Sequence, residues 1–436
     1  GGVSTALNIL MGDMGRAGAV FTCQPQWFLE GDAVNTETAL TMGGRGRQPD
    51  FINKYRALRL SGRDYSYQKA QFGSYRDYVP NHYNLGYYMV SYGRRHFGRD
   101  IWQRTLRDAQ KQVAFKAFSH SLESKTGMST DRLYESTFEE FDSVWSYRDA
   151  QLTSRMAEFP AQHLLSDSNK DEYTDLSNPV FLNGQPVCLR ADKSRPVYLA
   201  DMDGESIFRG FGRGFSGDFD ACGGRIVWSE LRSHVRWPDI DYSVIMVWDR
   251  ELGRKKLTRR SRLFSPAFSA DGSKICAVEH DPMGSGYTIV LLDSETGKEL
   301  LRLSNPDNVQ IIQPCFSPDG REIASIVQKN GRHALALWNV EDGTRRILFP
   351  WDNLTFQNPV HAGDRIFYQA SYTENYEIYA LDIASGVIRQ VTATRFGAED
   401  PYVYGDSLYF SAYTDLGGEI RSMSIFDGML VVQPLI

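Results

Sequence analysis

Apolar positions along this chain follow two periods, and the change between them falls near residue 150. Before it they recur at helical spacing. Leu7, Ile9, Leu10 and Met14 mark a short helix over residues 3–14 that ends near Gly15. A helix through Glu30 runs to about Met42, where Gly43-Gly44 stops it. Leu85, Tyr88, Met89 and Tyr92 share one face of a helix over 83–97, closed by Gly98, and another helix covers Ile101–Gln112. Within 115–145, Ser129-Thr130 can cap a helix that carries Leu133, Tyr134, Phe138, Phe141 and Trp145.

Residues 151–175 are polar and uneven, which predicts a linker with one edge strand at 162–166. Beyond it the chain repeats itself about every forty to fifty residues. Each copy opens with a residue, a proline, a residue and an aromatic or equivalent, then a turn. The copies are Asn178-Pro179-Val180-Phe181 with Asn183-Gly184, Ser265-Pro266-Ala267-Phe268 with Asp271-Gly272, and Gln313-Pro314-Cys315-Phe316 with Asp319-Gly320. Asn358-Pro359-Val360-His361 and Asp400-Pro401-Tyr402-Val403 continue the series, and a degenerate copy at Gly217-Asp218-Phe219-Asp220 makes six. Alternating strands follow each turn, as at 275–278, 323–327, 365–369 and 407–411. A second strand then ends at an acid or amide, as at Asp201, Asp249, Asp293, Asn339 and Asp382. Such units cannot bury a face alone and must stack around an axis, so the pattern predicts a six-bladed β-propeller. Asp271 and Asp319 read as Asp-Gly turn residues, not as catalytic acids. Pairing of 162–166 with the 430–435 region is the expected closure of the ring. The fold class is therefore an N-terminal α-helical lobe (1–150), a linker (151–175) and an all-β six-bladed propeller (176–436).

Composition changes this picture little. The chain of 436 residues exceeds the usual size of one core, and 42% hydrophobic residues with 13% aromatics supply two. A net charge of −6 argues against a general nucleic-acid binder, and a mean hydropathy of −0.41 against a membrane protein. No apolar run has the length of a membrane span, and residues 1–22 are too interrupted for a secretory signal. Five scattered cysteines imply free thiols, not a disulfide framework.

Chemistry concentrates at Trp27-Phe28-Leu29-Glu30-Gly31-Asp32-Ala33, with Glu37 seven residues after Glu30. On a helix both carboxylates lie on one face. The apolar Trp-Phe-Leu run should hold Glu30 at the edge of a core, where a carboxylate needs a metal or a cationic partner. A solvated acidic face is the plainer explanation of the spacing. Gly44-Arg45-Gly46-Arg47 reads as a basic turn, Arg94-Arg95-His96 as a solvated helix end. Trp351 and Phe356 read as blade packing. Loops 232–242 and 372–376 are aromatic and polar, suited either to a protein or glycan partner or to contacts with the helical domain.

This stretch resembles the W-x-x-E-G-x-A…E segment of the gluzincin, thermolysin-like (peptidase MA) zinc metallopeptidases. Tyr83, Gly86, Tyr87, Phe97, Gly98, Thr126, Gly127, Leu133, Tyr134 and Trp145 match the order of motifs in the C-terminal lobe of that group, so the resemblance spans about 25–146. It implies Glu30 as a zinc ligand, Glu37 as the acid supporting it, and an oxyanion donor from among His82, Tyr83 and Tyr87, with Tyr83 first. None of the eight histidines stands in His-Glu-x-x-His and none precedes Glu30. That helix would fall at or upstream of residue 1, so zinc is expected in a parent protein and not in this chain, which should be inactive alone. The repeats resemble the WD40-like repeats of the TolB type, through Phe268-Ser269-Ala270-Asp271-Gly272 and Phe316-Ser317-Pro318-Asp319-Gly320. This likeness implies a bacterial periplasmic or cell-surface setting. Two functions follow as expectations: part of a peptidase whose propeller gates or presents a peptide substrate, or a non-catalytic module whose propeller docks a partner.

Overall fold

The computed structural model describes residues 3–112, 116–166, 172–237, 239–281, 286–425 and 430–431, in two compact units, Gly1–Gln151 and Leu152–Ile436. Eight helices lie among the described residues: α1 (Val3–Cys23), α2 (Gln26–Leu40), α3 (Pro49–Leu60), α4 (Tyr67–Phe72), α5 (His82–Phe97), α6 (Ile101–Gln112), α7 (Ala117–Thr126) and α8 (Thr130–Met156). No described helix is long and apolar enough to cross a membrane.

Several helices depart from the sequence pattern. Residues 3–14 are not a complete helix: α1 breaks at Gly12, whose φ is 65°, and resumes to Cys23. The pattern missed α3 and α4. Proline at the first position starts α3 and Ser66 caps α4, accepting from the Lys69 amide at 3.3 Å. The 115–145 stretch is two helices, α7 and α8, and Phe115 lies outside the described residues. α8 runs past the expected linker boundary because no Gly or Pro interrupts the sequence before Pro160. Nor is the end of α5 a free charged tip. Arg95 and His96 both engage Glu140 of α8, and Arg94 bonds Asp32 of α2 at 2.6 Å.

The second unit is a six-bladed propeller. Its inner strands are Thr174–Leu182, Phe219–Cys222, Leu263–Phe268, Gln310–Phe316, Phe356–Ala362 and Ala398–Tyr404. Each opens an antiparallel sheet of four strands, with Leu430–Val431 added to the fifth. Apolar side chains of neighbouring sheets interlock, as Val227, Ile245, Ile275 and Val290 do between blades two and three. Phe356 packs against Phe349, Tyr368 and Tyr372. The acids predicted as turn residues are turn residues: Asp293 Oδ1 accepts from the Thr296 amide at 2.8 Å, and Asp271 Oδ1 from the Ser273 amide at 3.0 Å. Loop 372–376 turns inward. Asn375 and Tyr376 are buried and the Tyr372 ring stands 4.7 Å from that of Tyr379, while Glu374 stays exposed.

At the axis the residue before each proline adopts a left-handed backbone. Asn178, Ser265, Gln313, Asn358 and Asp400 have φ of 49°, 47°, 49°, 50° and 54°, and the pairing register slips at each of these points. Proline cannot donate to the ladder, and the bulge takes it out of the pairing. The degenerate copy has Gly217 at this position, with φ of 100°.

The ring closes where His163–Ser166 joins the sixth sheet as its outermost strand, antiparallel to Gly417–Ser424. The expected partner near residue 430 is corrected: Leu430–Val431 pairs with Ile388–Gln390 of blade five, and 432–435 lie outside the described residues. Gly417–Ser424 is the free edge of an otherwise three-stranded blade, which is the edge a closing strand must cover. Four cysteines, Cys188, Cys222, Cys276 and Cys315, are free thiols; the Cys23 side chain lies outside the described residues.

One acid is buried in blade five. Glu377 accepts from Thr392 Oγ1 at 2.7 Å, the Thr394 amide at 2.8 Å and Thr394 Oγ1 at 3.0 Å, and burial pushes its pKa up to about 7. A carboxyl raised in the folded state stabilises fully below its ordinary pKa of 4.5, and that contribution is lost as pH rises through about 7. Glu377→Gln should therefore gain on the wild type by about 3 kcal/mol as pH goes from 4.5 to 8, read by denaturant unfolding; parallel profiles would exclude this. Deleting residues 163–166 should lower the melting temperature of the propeller transition by several degrees, and an unchanged melting curve would show that this strand does not close the ring.

Candidate functional site

The site in the helical unit rests on a crossing of two backbones. α2 and α5 meet at Gly31 and Gly86, where a methyl built on Gly31 would stand 2.1 Å from the Gly86 carbonyl carbon, and one on Gly86 only 1.8 Å from the Trp27 carbonyl oxygen. Only glycine permits this approach. Trp27 and Phe28 are fully buried beside the crossing, their rings packed on Trp102 and Phe118 at centroid distances of 5.2–6.0 Å. The Trp27 indole donates to Tyr67 Oη at 2.9 Å. The apolar run before Glu30 thus does what the sequence predicts: it anchors the helix and leaves Glu30 half-buried at the core's edge.

Across the crossing, Asn81 caps α5, its Oδ1 accepting from the Tyr83 and Asn84 amides at 3.1 and 3.3 Å. This sets Tyr83 in the first turn, facing Glu30. The Glu30 carboxylate beside Tyr83 raises the phenol's pKa, first through their hydrogen bond and then through its charge. Tyr83 is therefore a protonated donor at neutral pH.

Glu37 is held by Arg45. Nε donates to Oε1 at 2.8 Å, Nη2 to Oε2 at 2.9 Å and the Arg45 amide to Oε1 at 2.9 Å, a bidentate clamp that lowers the Glu37 pKa. The same guanidinium lies 4.9 Å from the centroid of the Tyr83 ring. Glu30, Tyr83, Arg45 and Glu37 thus form one cluster. Arg45 is the member that the basic-turn reading missed. Gly44 and Gly46 on either side were the available signal, because a methyl on Gly46 would stand 2.5 Å from the Tyr87 ring.

Two other candidates stand apart. Tyr87 Oη donates to the Gly46 carbonyl oxygen at 3.3 Å and packs on Phe51, so it braces the Arg45–Arg47 turn. His82 is half-buried, and its Nδ1 has no hydrogen-bond partner among the described residues.

No protein-family model and no curated protein matches the sequence. Among solved structures, the β-propeller domain of the Trilobed protease from Pyrococcus furiosus is similar over 60% of this chain and 85% of its own, at 15% identity and a TM-score of 0.39. TolB from Acinetobacter baumannii is similar over 70% of this chain and 74% of its own, at 15% identity and a TM-score of 0.37. A prolyl endopeptidase is similar over 67% of this chain, at 15% identity and a TM-score of 0.40. The chain spans about half of that endopeptidase, 47% of its length. Likeness at this level concerns the propeller fold alone, and the six blades are read from the sheets themselves.

Because backbone atoms fill the crossing, Gly86→Ala should cost about 3 kcal/mol or more of the helical unit's stability. Chemical denaturation followed by tryptophan fluorescence checks this, and a loss below about 0.5 kcal/mol would show that the helices can separate freely.

Proposed function

We propose that the helical unit contributes Glu30 and Tyr83 to a peptide-hydrolysing site, and that the propeller on the same chain gates that site or presents its substrate. What supports this reading is the pairing of a carboxylate on α2 with a protonated phenol on α5, held by the Gly31–Gly86 crossing. Tyr83 stands beside the Glu30 carboxylate in the free protein. With a substrate carbonyl alongside, the Tyr83 O–H is a donor for the oxyanion that develops on attack. Glu37, neutralised by Arg45, fixes the ring of Tyr83 from the other side through that guanidinium.

The gluzincin resemblance would give Glu30 to zinc. Among the described residues no group of three or more His, Cys, Asp or Glu side chains lies close enough to hold a metal ion, and Arg45 is charged and close to Glu30. One carboxylate near a guanidinium does not fit zinc, so no step is derived through the metal. Zinc enters this reading only with two histidines from outside these residues. The setting that TolB-type repeats imply, periplasm or cell surface, stays part of the proposal.

A second reading, a binding module, is favoured by the tip of the 232–242 loop. Val235, Trp237 and Ile240 are 95%, 58% and 53% exposed there, an apolar surface suited to a protein partner.

Metal analysis and peptide-cleavage assays separate the two. The 436-residue chain should hold far less than one zinc; stoichiometric zinc lost in Glu30→Ala would overturn the one-ligand assignment. In the natural polypeptide, Tyr83→Phe should lower kcat on the order of 10²-fold. Cleavage unaffected by both Tyr83→Phe and Glu30→Ala sinks the first reading, and partner binding lost in Trp237→Ala would then favour the second.

A further inference from the structure

The six repeats meet at the propeller axis, and the copy that departs from the repeat is the informative one. In blade two Asp218 stands where the other five copies have proline, and Asp220 where four have Phe or His. Both line an axial cavity of about 230 Å³, together with Asp400 of blade six. Among the described residues no Lys or Arg lines this cavity.

Each carboxylate is met by neutral donors. Asp218 accepts from Gln313 Nε2 and Ser265 Oγ, both at 3.2 Å. Asp220 accepts from the Phe268 amide at 2.7 Å and the Ala221 amide at 2.8 Å. Asp400 accepts from Asn358 Nδ2 at 2.8 Å, Ser411 Oγ at 2.7 Å and the Asn178 amide at 3.1 Å. Burial pushes Asp220 up to about 6 and raises Asp400, as expected for negative charge lacking a cation.

A second feature of the wall also calls for a ligand. The His361 side chain is only 4% exposed, and neither ring nitrogen has a hydrogen-bond partner among the described residues. Its Nε2 lies 3.7 Å from Glu322 Oε2, beyond hydrogen-bond reach. Burial lowers the His361 pKa, so the ring is neutral near pH 7 and one nitrogen offers a lone pair. A buried polar group left unpaired is costly unless something fills its bond.

These groups are acceptors, and the cavity carries net negative charge. The acids do not converge as a metal site requires, since no metal-holding group of three occurs among the described residues. The space is smaller than the roughly 300–1,000 Å³ of drug-sized sites. A small organic cation with several N–H donors satisfies these conditions.

We propose that the axial cavity binds a primary ammonium group, from either a free peptide amino terminus or a lysine side chain. Carboxylates from blades two and six take the charge, and His361 accepts one N–H. The site does not involve Glu30 and does not depend on the peptidase reading.

Isothermal titration calorimetry on the whole chain tests it with three probes: tetra-alanine, N-acetyl-tetra-alanine and N-acetyl-lysine methylamide. At least one amine-bearing probe should bind at least tenfold more tightly than the acetylated peptide, and which one does so identifies the source of the amine. Asp218→Asn should weaken that binding at least tenfold. Should that variant not fold, ¹⁵N-detected titration of the His361 ring in the wild type replaces it, and its signals should move with the amine probe and not with the acetylated one. Equal binding of free and acetylated probes, no binding of any, or an unmoved His361 would overturn the proposal.

Discussion

A ring of sheets holds only if its last seam is shut, and in this protein the seam depends on little. Between blades six and one the buried apolar cluster is Leu176, Cys188 and Ile420, much smaller than the continuous core shared by blades three to five. Other contacts make up for it. Phe181 stacks on Tyr404 with ring centroids 3.8 Å apart, and Gly418 donates its amide to Asp175 Oδ1 at 2.9 Å. A methyl on Gly417 would stand 2.2 Å from the Thr174 carbonyl oxygen, so the two chains meet backbone to backbone. The short strand His163–Ser166 then covers the outer edge. No blade can bury both its faces without neighbours, so every blade depends on this closure.

The axis shows the same economy of means. Five non-glycine residues accept a left-handed backbone before proline, each at a cost of order 1–3 kcal/mol. Their side chains offset part of that cost by bonding one another across blades. Gln313 reaches both Asp218 and Asn358, Asn358 reaches Asp400, and Asp400 takes the amide of Asn178. With Ser265 donating to Asp218, a belt of hydrogen bonds thus ties together all six blades, and the strained residues are its links.

Much of this was legible in the sequence, for identifiable reasons. Asp-Gly and Asp-x-x-x-Gly turns are local, so Asp271, Asp293 and Asp382 bond their own backbone wherever the strands go. The burial of Trp27 and Phe28 followed from composition alone. What could not be read depends on distant partners. Arg45 looks like a basic turn until α5 brings Tyr83 beneath it, and Arg94, Arg95 and His96 look solvated until Asp32 and Glu140 arrive from other helices. The degenerate repeat reads as a weak copy, yet only the ring reveals that Asp218 and Asp220 share a cavity with Asp400. α3 was missed because its buried residues include Asn53 and Arg56, which break the apolar pattern.

Closure also sets an order of events in time. Gln162 and Arg421, which bond across the seam, are 259 residues apart, so the ring cannot shut until nearly all of the propeller has been made. Joining such distant segments is slow, because the entropy of the intervening chain must be lost before the contact rewards it. Until then the edge at Gly417–Ser424 and the faces of the first and last blades stay open to water and to other chains. The four residues that complete the ring are thus the first of its strands to be made and the last to be used. During that interval the chain is most exposed to pairing with the wrong partner.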